Sequence, residues 1–69
     1  MTRIEAENLP ITEVNFTQQF VATTAKLGFQ KVGDLLALTP QQIINLPDFT
    51  FKLIEEYREF LTKNRLDNT

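Results

Sequence analysis

Thr39-Pro40-Gln41-Gln42-Ile43-Ile44-Asn45-Leu46-Pro47-Asp48-Phe49-Thr50 is the stretch that decides how this 69-residue chain folds. Thr39 is placed to cap a helix, and Pro40 takes the first helical position, where its missing N–H costs nothing. Gln42 closes the capping box. Ile43, Ile44 and Leu46 are the apolar residues of that short helix, and Pro47 stops it. The sequence Pro47-Asp48-Phe49-Thr50 then reads as a turn into a longer helix, predicted from about Phe51 to Asn64. Ile54, Tyr57 and Leu61 lie on one stripe of it, widened by Leu53 and Phe60. Glu55, Glu56 and Glu59 are expected to face solvent as a solubilising surface. Lys63 and Arg65 come near the C-terminal end, where the helix dipole favours cations.

Upstream, Phe29-Gln30-Lys31 connects to a short helix containing Leu35, Leu36 and Leu38, with Asp34 in its first turn. Before that lies a helix with two competing caps. Asn15 with Gln18 makes one capping box, and Thr17 could instead cap a helix starting at Gln18. Phe20, Val21, Ala25 and Leu27 are its apolar positions, and Gly28 suits a left-handed C-terminal stop. Residues 1–10 read as a flexible tail, with Leu9-Pro10 biased to extended geometry. Val14-Asn15-Phe16 fits a short extended lead-in across the core, and residues 67–69 read as a second tail. The expectation is an all-α fold: a compact bundle of four to five short helices after an extended N-terminal segment. Leu27-Gly28-Phe29 and Pro47-Asp48-Phe49 give it two similar turns, twenty residues apart.

Composition narrows the function. A chain this short makes one small domain that buries only about 60% of its unfolded surface. Apolar residues at 42%, including six Phe, suffice for one core, and net charge is −2. The chain has no cysteine and no histidine, which removes thiol nucleophiles, disulfides, thiolate zinc sites, the commonest general base and the commonest metal ligand. No catalytic residue, metal ligand or cofactor is assigned, and a non-enzymatic binding module is expected. The N-terminus carries acids where a signal peptide would be apolar, and the longest apolar run, Leu35 to Leu38, is far too short to span a bilayer. A cytoplasmic monomer with no membrane contact is expected. Mild acidity weakens the case for bulk nucleic-acid binding, which needs a local basic cluster.

Three segments carry a resemblance. Ile11-Thr-Glu-Val14-Asn-Phe16-Thr17, then Gly28-Phe29-Gln-Lys-Val32-Gly33-Asp34-Leu35-Leu36, then Leu38-Thr39 with Ile43-Ile44-Asn-Leu46-Pro47-Asp48-Phe49 resemble the C-terminal domain of the bacterial RNA polymerase alpha subunit. The match runs without gaps over 11–66. Val32-Gly33-Asp34-Leu35-Leu36 ahead of the Leu-Pro-Asp-Phe turn is its most specific piece. The resemblance implies a single helical domain over 11–66 with a helix-hairpin-helix element, and it favours Thr17 as the first cap.

In that family the domain grips the DNA minor groove and also receives contacts from transcription activators. The family's Arg and Asn in the first helix fall here on Gln19 and Ala22, and its Gly-Lys-Lys-Ser stretch falls on Thr50-Phe51-Lys52-Leu53, leaving only Lys52 unchanged. Glu56 is retained further along. Asp48 would set negative charge where a phosphate approaches, and a β-branched Thr50 resists left-handed geometry at a cost of about 1–3 kcal/mol, implying a reshaped hairpin.

The resemblance therefore points to a protein partner, one belonging to the transcription machinery, more than to DNA. Phe49, Thr50, Phe51, Lys52 and Leu53 are the expected contact surface. Phe49 is read as a core plug, and Phe51 either as a cover on the edge of the core or, beside Leu53, as an exposed apolar patch. The alternative is weak minor-groove or phosphate binding through Gln19, Lys26, Lys31 and Lys52, although these lysines read more simply as scattered and solvated. Self-association through an exposed aromatic patch is a third reading.

Overall fold

The computed structural model describes residues 2–66, in which five α-helices and one 3-10 turn follow in the order α1 Arg3–Glu7, the turn Ile11–Glu13, α2 Gln18–Lys26, α3 Val32–Leu36, α4 Pro40–Ile44 and α5 Phe51–Lys63. The described residues form the expected all-α bundle. Its radius of gyration, 10.9 Å, equals the ~11 Å of a well-packed chain of this length. The tail expected over residues 67–69 lies outside the described residues.

Each helix begins where local chemistry permits. Thr39 Oγ1 accepts from the Gln42 N–H at 3.2 Å, and Gln42 Oε1 accepts from the Thr39 N–H at 2.9 Å, completing the box. Of the two rival caps, Thr17 is used, accepting from the Phe20 N–H at 3.3 Å. α2 ends at Gly28, whose φ of 90° lets the Phe29 N–H reach back to Thr24 O at 2.9 Å. α5 stops in the same manner without glycine. Arg65 takes φ 58°, and the Leu66 N–H reaches Leu61 O at 2.7 Å, which folds Leu66 into the core.

Residues 2–10, within the segment read as an N-terminal tail, are instead structured. Thr2 and Glu5 form a reciprocal capping box, with the Glu5 N–H to Thr2 Oγ1 at 3.2 Å and the Thr2 N–H to Glu5 Oε1 at 3.0 Å. Ala6 of the resulting α1 is fully buried. α1 sits directly on α3 because Gly33 has no side chain; a Cβ there would overlap Glu7 O and stand 3.0 Å from Glu7 Cα. The chain is then tied down by the Val32 N–H to Leu9 O (2.9 Å) and the Ile11 N–H to Gln30 O (3.0 Å), around an isolated antiparallel bridge from Pro10 to Lys31.

Phe20 is the centre of the core. Phe16 stacks on it at 3.9 Å between ring centroids, and Phe49 meets it edge-on at 5.5 Å. Phe60 closes against Phe16 at 5.3 Å. Ile11, Val32, Leu35, Ile43, Leu53 and Tyr57 complete the buried set. The buried Thr24 hydroxyl donates within its own helix, towards Phe20 O and Val21 O at 3.0 Å, so its burial leaves no polar atom unmatched.

Candidate interaction surface

The turn between α4 and α5 carries the expected contact residues and separates them into two groups. Left-handed geometry falls on Asp48, at φ 61°, and not on Thr50. Asp tolerates that region better than a β-branched residue does. Thr50 is extended at φ −68° and caps α5, accepting from the Leu53 N–H at 3.4 Å. The strain expected at Thr50 is therefore absent.

Phe49 is 5% exposed and Leu53 1%, so both belong to the core, whereas Phe51 is 72% exposed. The apolar pair expected from Phe51 and Leu53 does not form. Residues two apart on an α-helix are about 200° apart around its axis, so a buried Leu53 turns Phe51 to water. Thr50 and Lys52 are also exposed.

Phe51 instead joins residues from other helices. It lines a groove of about 690 Å³ with Ile44 of α4, Leu36 and Leu38 at the end of α3, and Ile54 and Leu61 of α5. Ile44, read from sequence simply as an apolar helix position, is 55% exposed there. Tyr57 lies at the groove floor, and burial pushes its phenol up to about 12, with Arg3 opposing weakly. Arg3 and Arg58 are the charged groups of the lining. Arg58 was not singled out from the sequence. Only the α5 helical pattern could have placed it one position beyond Tyr57 on the groove side.

The residues proposed for nucleic acid are differently disposed. Gln19, Lys26, Lys31 and Lys52 are exposed. Lys26 Nζ stands 3.4 Å from Asp48 Oδ2, so the turn's acid faces the first turn's lysine. The backbone N–H groups needed to grip a phosphate at the first turn are already used. Gly28 donates to Ala25 O and Phe29 to Thr24 O, while Gln30 and Lys31 both donate to Asp34 Oδ2, at 2.8 and 3.0 Å. These two bonds hold the Asp34 carboxyl below its ordinary value.

The start of α2 is likewise occupied. Glu56, expected to face outward with Glu55 and Glu59, turns inward instead; it accepts from the Thr17 N–H and from Thr17 Oγ1 at 2.9 Å. An internal carboxylate thus sits where the α2 dipole would attract an external anion. Neither role was visible locally, since Glu56 and Thr17 are 39 residues apart. Among the described residues no group of acids could hold a metal ion, and no helix is long and apolar enough to cross a membrane.

No family model and no solved structure matches the chain. A curated DNA-directed RNA polymerase subunit alpha from Bifidobacterium adolescentis is 33% identical over 54 residues, which cover 78% of this chain and 16% of that protein. The chain thus spans about a sixth of that relative's length. Its relationship is alpha-subunit-like, carried on an all-α bundle whose α2 and α3 N-termini are filled by its own carboxylates.

Proposed function

We propose that this chain is a non-enzymatic binding module resembling the C-terminal domain of the RNA polymerase alpha subunit, associated with transcription and acting through protein–protein contact. The domain covers 11–66, with α1 packed onto it as a further helix. The observation that carries the reading is Phe51, 72% exposed at the rim of an apolar groove, where the resembling family has a DNA-facing lysine. Thr50 and Lys52 flank it as the polar edge of the contact, while Phe49 and Leu53 hold the turn from beneath.

Weak DNA binding through Gln19, Lys26, Lys31 and Lys52 is the second reading, favoured by the exposure of these residues and the fold resemblance. Against it stand the Lys26–Asp48 pair and the carboxylates of Asp34 and Glu56 on the helix N-termini. Two titrations of isotope-labelled chain separate the readings. With an A·T-rich duplex at low salt, no saturable shifts are expected over residues 17–28 and 48–56, and Lys52→Glu should change nothing. With bacterial RNA polymerase holoenzyme, saturable binding is expected that Phe51→Glu removes. Salt-sensitive duplex binding lost on Lys52→Glu would reverse the assignment.

A further inference from the structure

The groove beside Phe51 has a chemistry that specifies more than "a protein". Its walls are aliphatic and aromatic, from Leu36, Leu38, Ile44, Phe51, Ile54 and Leu61, and its volume of about 690 Å³ lies within the ~300–1,000 Å³ of typical binding clefts. The charged groups lining it are both arginines, with no acid among the lining residues. They differ in commitment. Arg3 bonds Glu7 at 3.3 Å and reaches Leu36 O at 3.4 Å. Among the described residues Arg58 makes no ion pair, although Glu55 and Glu59 share its helix. A planar cation at the edge of an apolar cleft offers a carboxylate two parallel hydrogen bonds.

The backbone restricts how a partner enters. An extended peptide needs an unpaired strand edge to add to, and the described residues contain only the isolated Pro10–Lys31 bridge, away from the groove. A polyproline segment docks on a groove lined chiefly by aromatics, whereas here the aromatics are Phe51 and Tyr57 among aliphatic walls. Such a cleft suits helix-in-groove recognition, in which apolar anchors spaced i, i+3 or i+4 fill it.

Resting on the protein-contact reading above, we infer that the groove receives an amphipathic helix of another protein. That helix presents two or three aliphatic residues to Ile44, Phe51 and Ile54, and a Glu or Asp to Arg58. Phe51 and Ile44, half or more exposed in the free chain, supply the apolar area that the complex would cover. The acid fixes which way along the groove the helix lies.

Two synthetic helical peptides with the same leucine stripe test this, one carrying Glu and the other Lys at the flanking position. Each is titrated into the isotope-labelled 69-residue chain. The Glu peptide should bind roughly tenfold more tightly than the Lys peptide, with shifts centred on Leu38, Ile44, Phe51 and Arg58. Arg58→Gln should abolish the preference and Arg58→Glu invert it. Phe51→Ala should weaken both peptides alike. Arg58 is exposed, so an unchanged thermal midpoint is expected for its variants and verifies their fold.

Equal affinities, no binding of either peptide, or a preference untouched in both Arg58 variants would overturn the inference. So would sedimentation that finds a dimer lost on Phe51→Ala, which would place a second copy in the groove. Any of these outcomes alongside Phe51-dependent binding to polymerase would leave the functional reading standing. Salt-sensitive duplex binding would remove that reading first.

Discussion

The turn after α2 and the turn before α5 solve one backbone problem with different residues. Both place a residue in left-handed geometry and follow it with a phenylalanine. The first uses Gly28 at φ 90°, the second Asp48 at φ 61°. In the first, the N–H groups of residues 28–32 are all consumed by carbonyls or by Asp34, and Phe29 is only half-buried. In the second, Phe49 is driven into the core against Phe20, and the left-handed residue brings a carboxylate that pairs with Lys26. The residue that satisfies the dihedral also sets the charge of the turn. A glycine there brings no charge, while an aspartate brings a carboxylate that takes up the neighbouring Lys26.

The largest effect expected from separating the turns is at their phenylalanines. Phe49→Ala should cost about 3–5 kcal/mol, as for other fully buried aromatics. Phe29→Ala should cost roughly 1–2 kcal/mol because less area leaves water on folding. Urea unfolding of the two variants measures the difference, and equal losses would mean that the turns bear equally on the core.

Next comes the left-handed residue itself. A Cβ at Gly28 meets nothing within 4 Å, so Gly28→Ala isolates conformational strain, expected at about 1–2 kcal/mol. At the other turn, Asp48→Ala should cost about 1 kcal/mol while Asp48→Gly stays within about 0.5 kcal/mol of the parent. There glycine relieves the dihedral but gives up an exposed ion pair of little energetic value. Both Asp48 variants remove the carboxylate and free Lys26, so each is expected to lift the low-salt duplex titration above the parent's unsaturable baseline.

The smallest effect is pH dependence at the first turn. Asp34's folded carboxyl titrates below its ordinary value because of its bonds to the Gln30 and Lys31 N–H groups. Its contribution is therefore present above the unfolded-state value of about 3.9 and is lost as pH falls through the lower folded value. Asp34→Asn should flatten that acid limb of the stability profile and leave the second turn's response unchanged. An identical acid limb in the variant would assign it to other carboxylates.

Much of this fold is legible locally. Thr39-Pro40-Gln41-Gln42 states its capping box outright, and Pro47 and Gly28 mark ends that the structure uses. The Thr2-Arg3-Ile4-Glu5 box obeys the same rule but opens a helix of only five residues with one buried side chain, too short for apolar periodicity to register. Other features depend on contacts distant in sequence. Gly33 is needed only because the Glu7 backbone lies on it, and Glu56 turns inward only because Thr17 offers two donors.

Of the candidate surface, Phe51 is exposed whereas Leu53 is buried. The neighbours of Phe51 in the groove are Ile44 and Leu36, on other helices. Adjacency along the chain located the turn; assembly of the groove required the bundle.

One consequence concerns the bare Cα of Gly33. The helix resting on it carries Arg3, whose guanidinium bonds Glu7 and Leu36 O and forms one flank of the cleft beside Phe51. A lone added methyl group, remote from that cleft, would pry the first helix from its seat and dismantle the flank. The seat of that flank thus depends on hydrogen in place of carbon at a position outside the groove's lining.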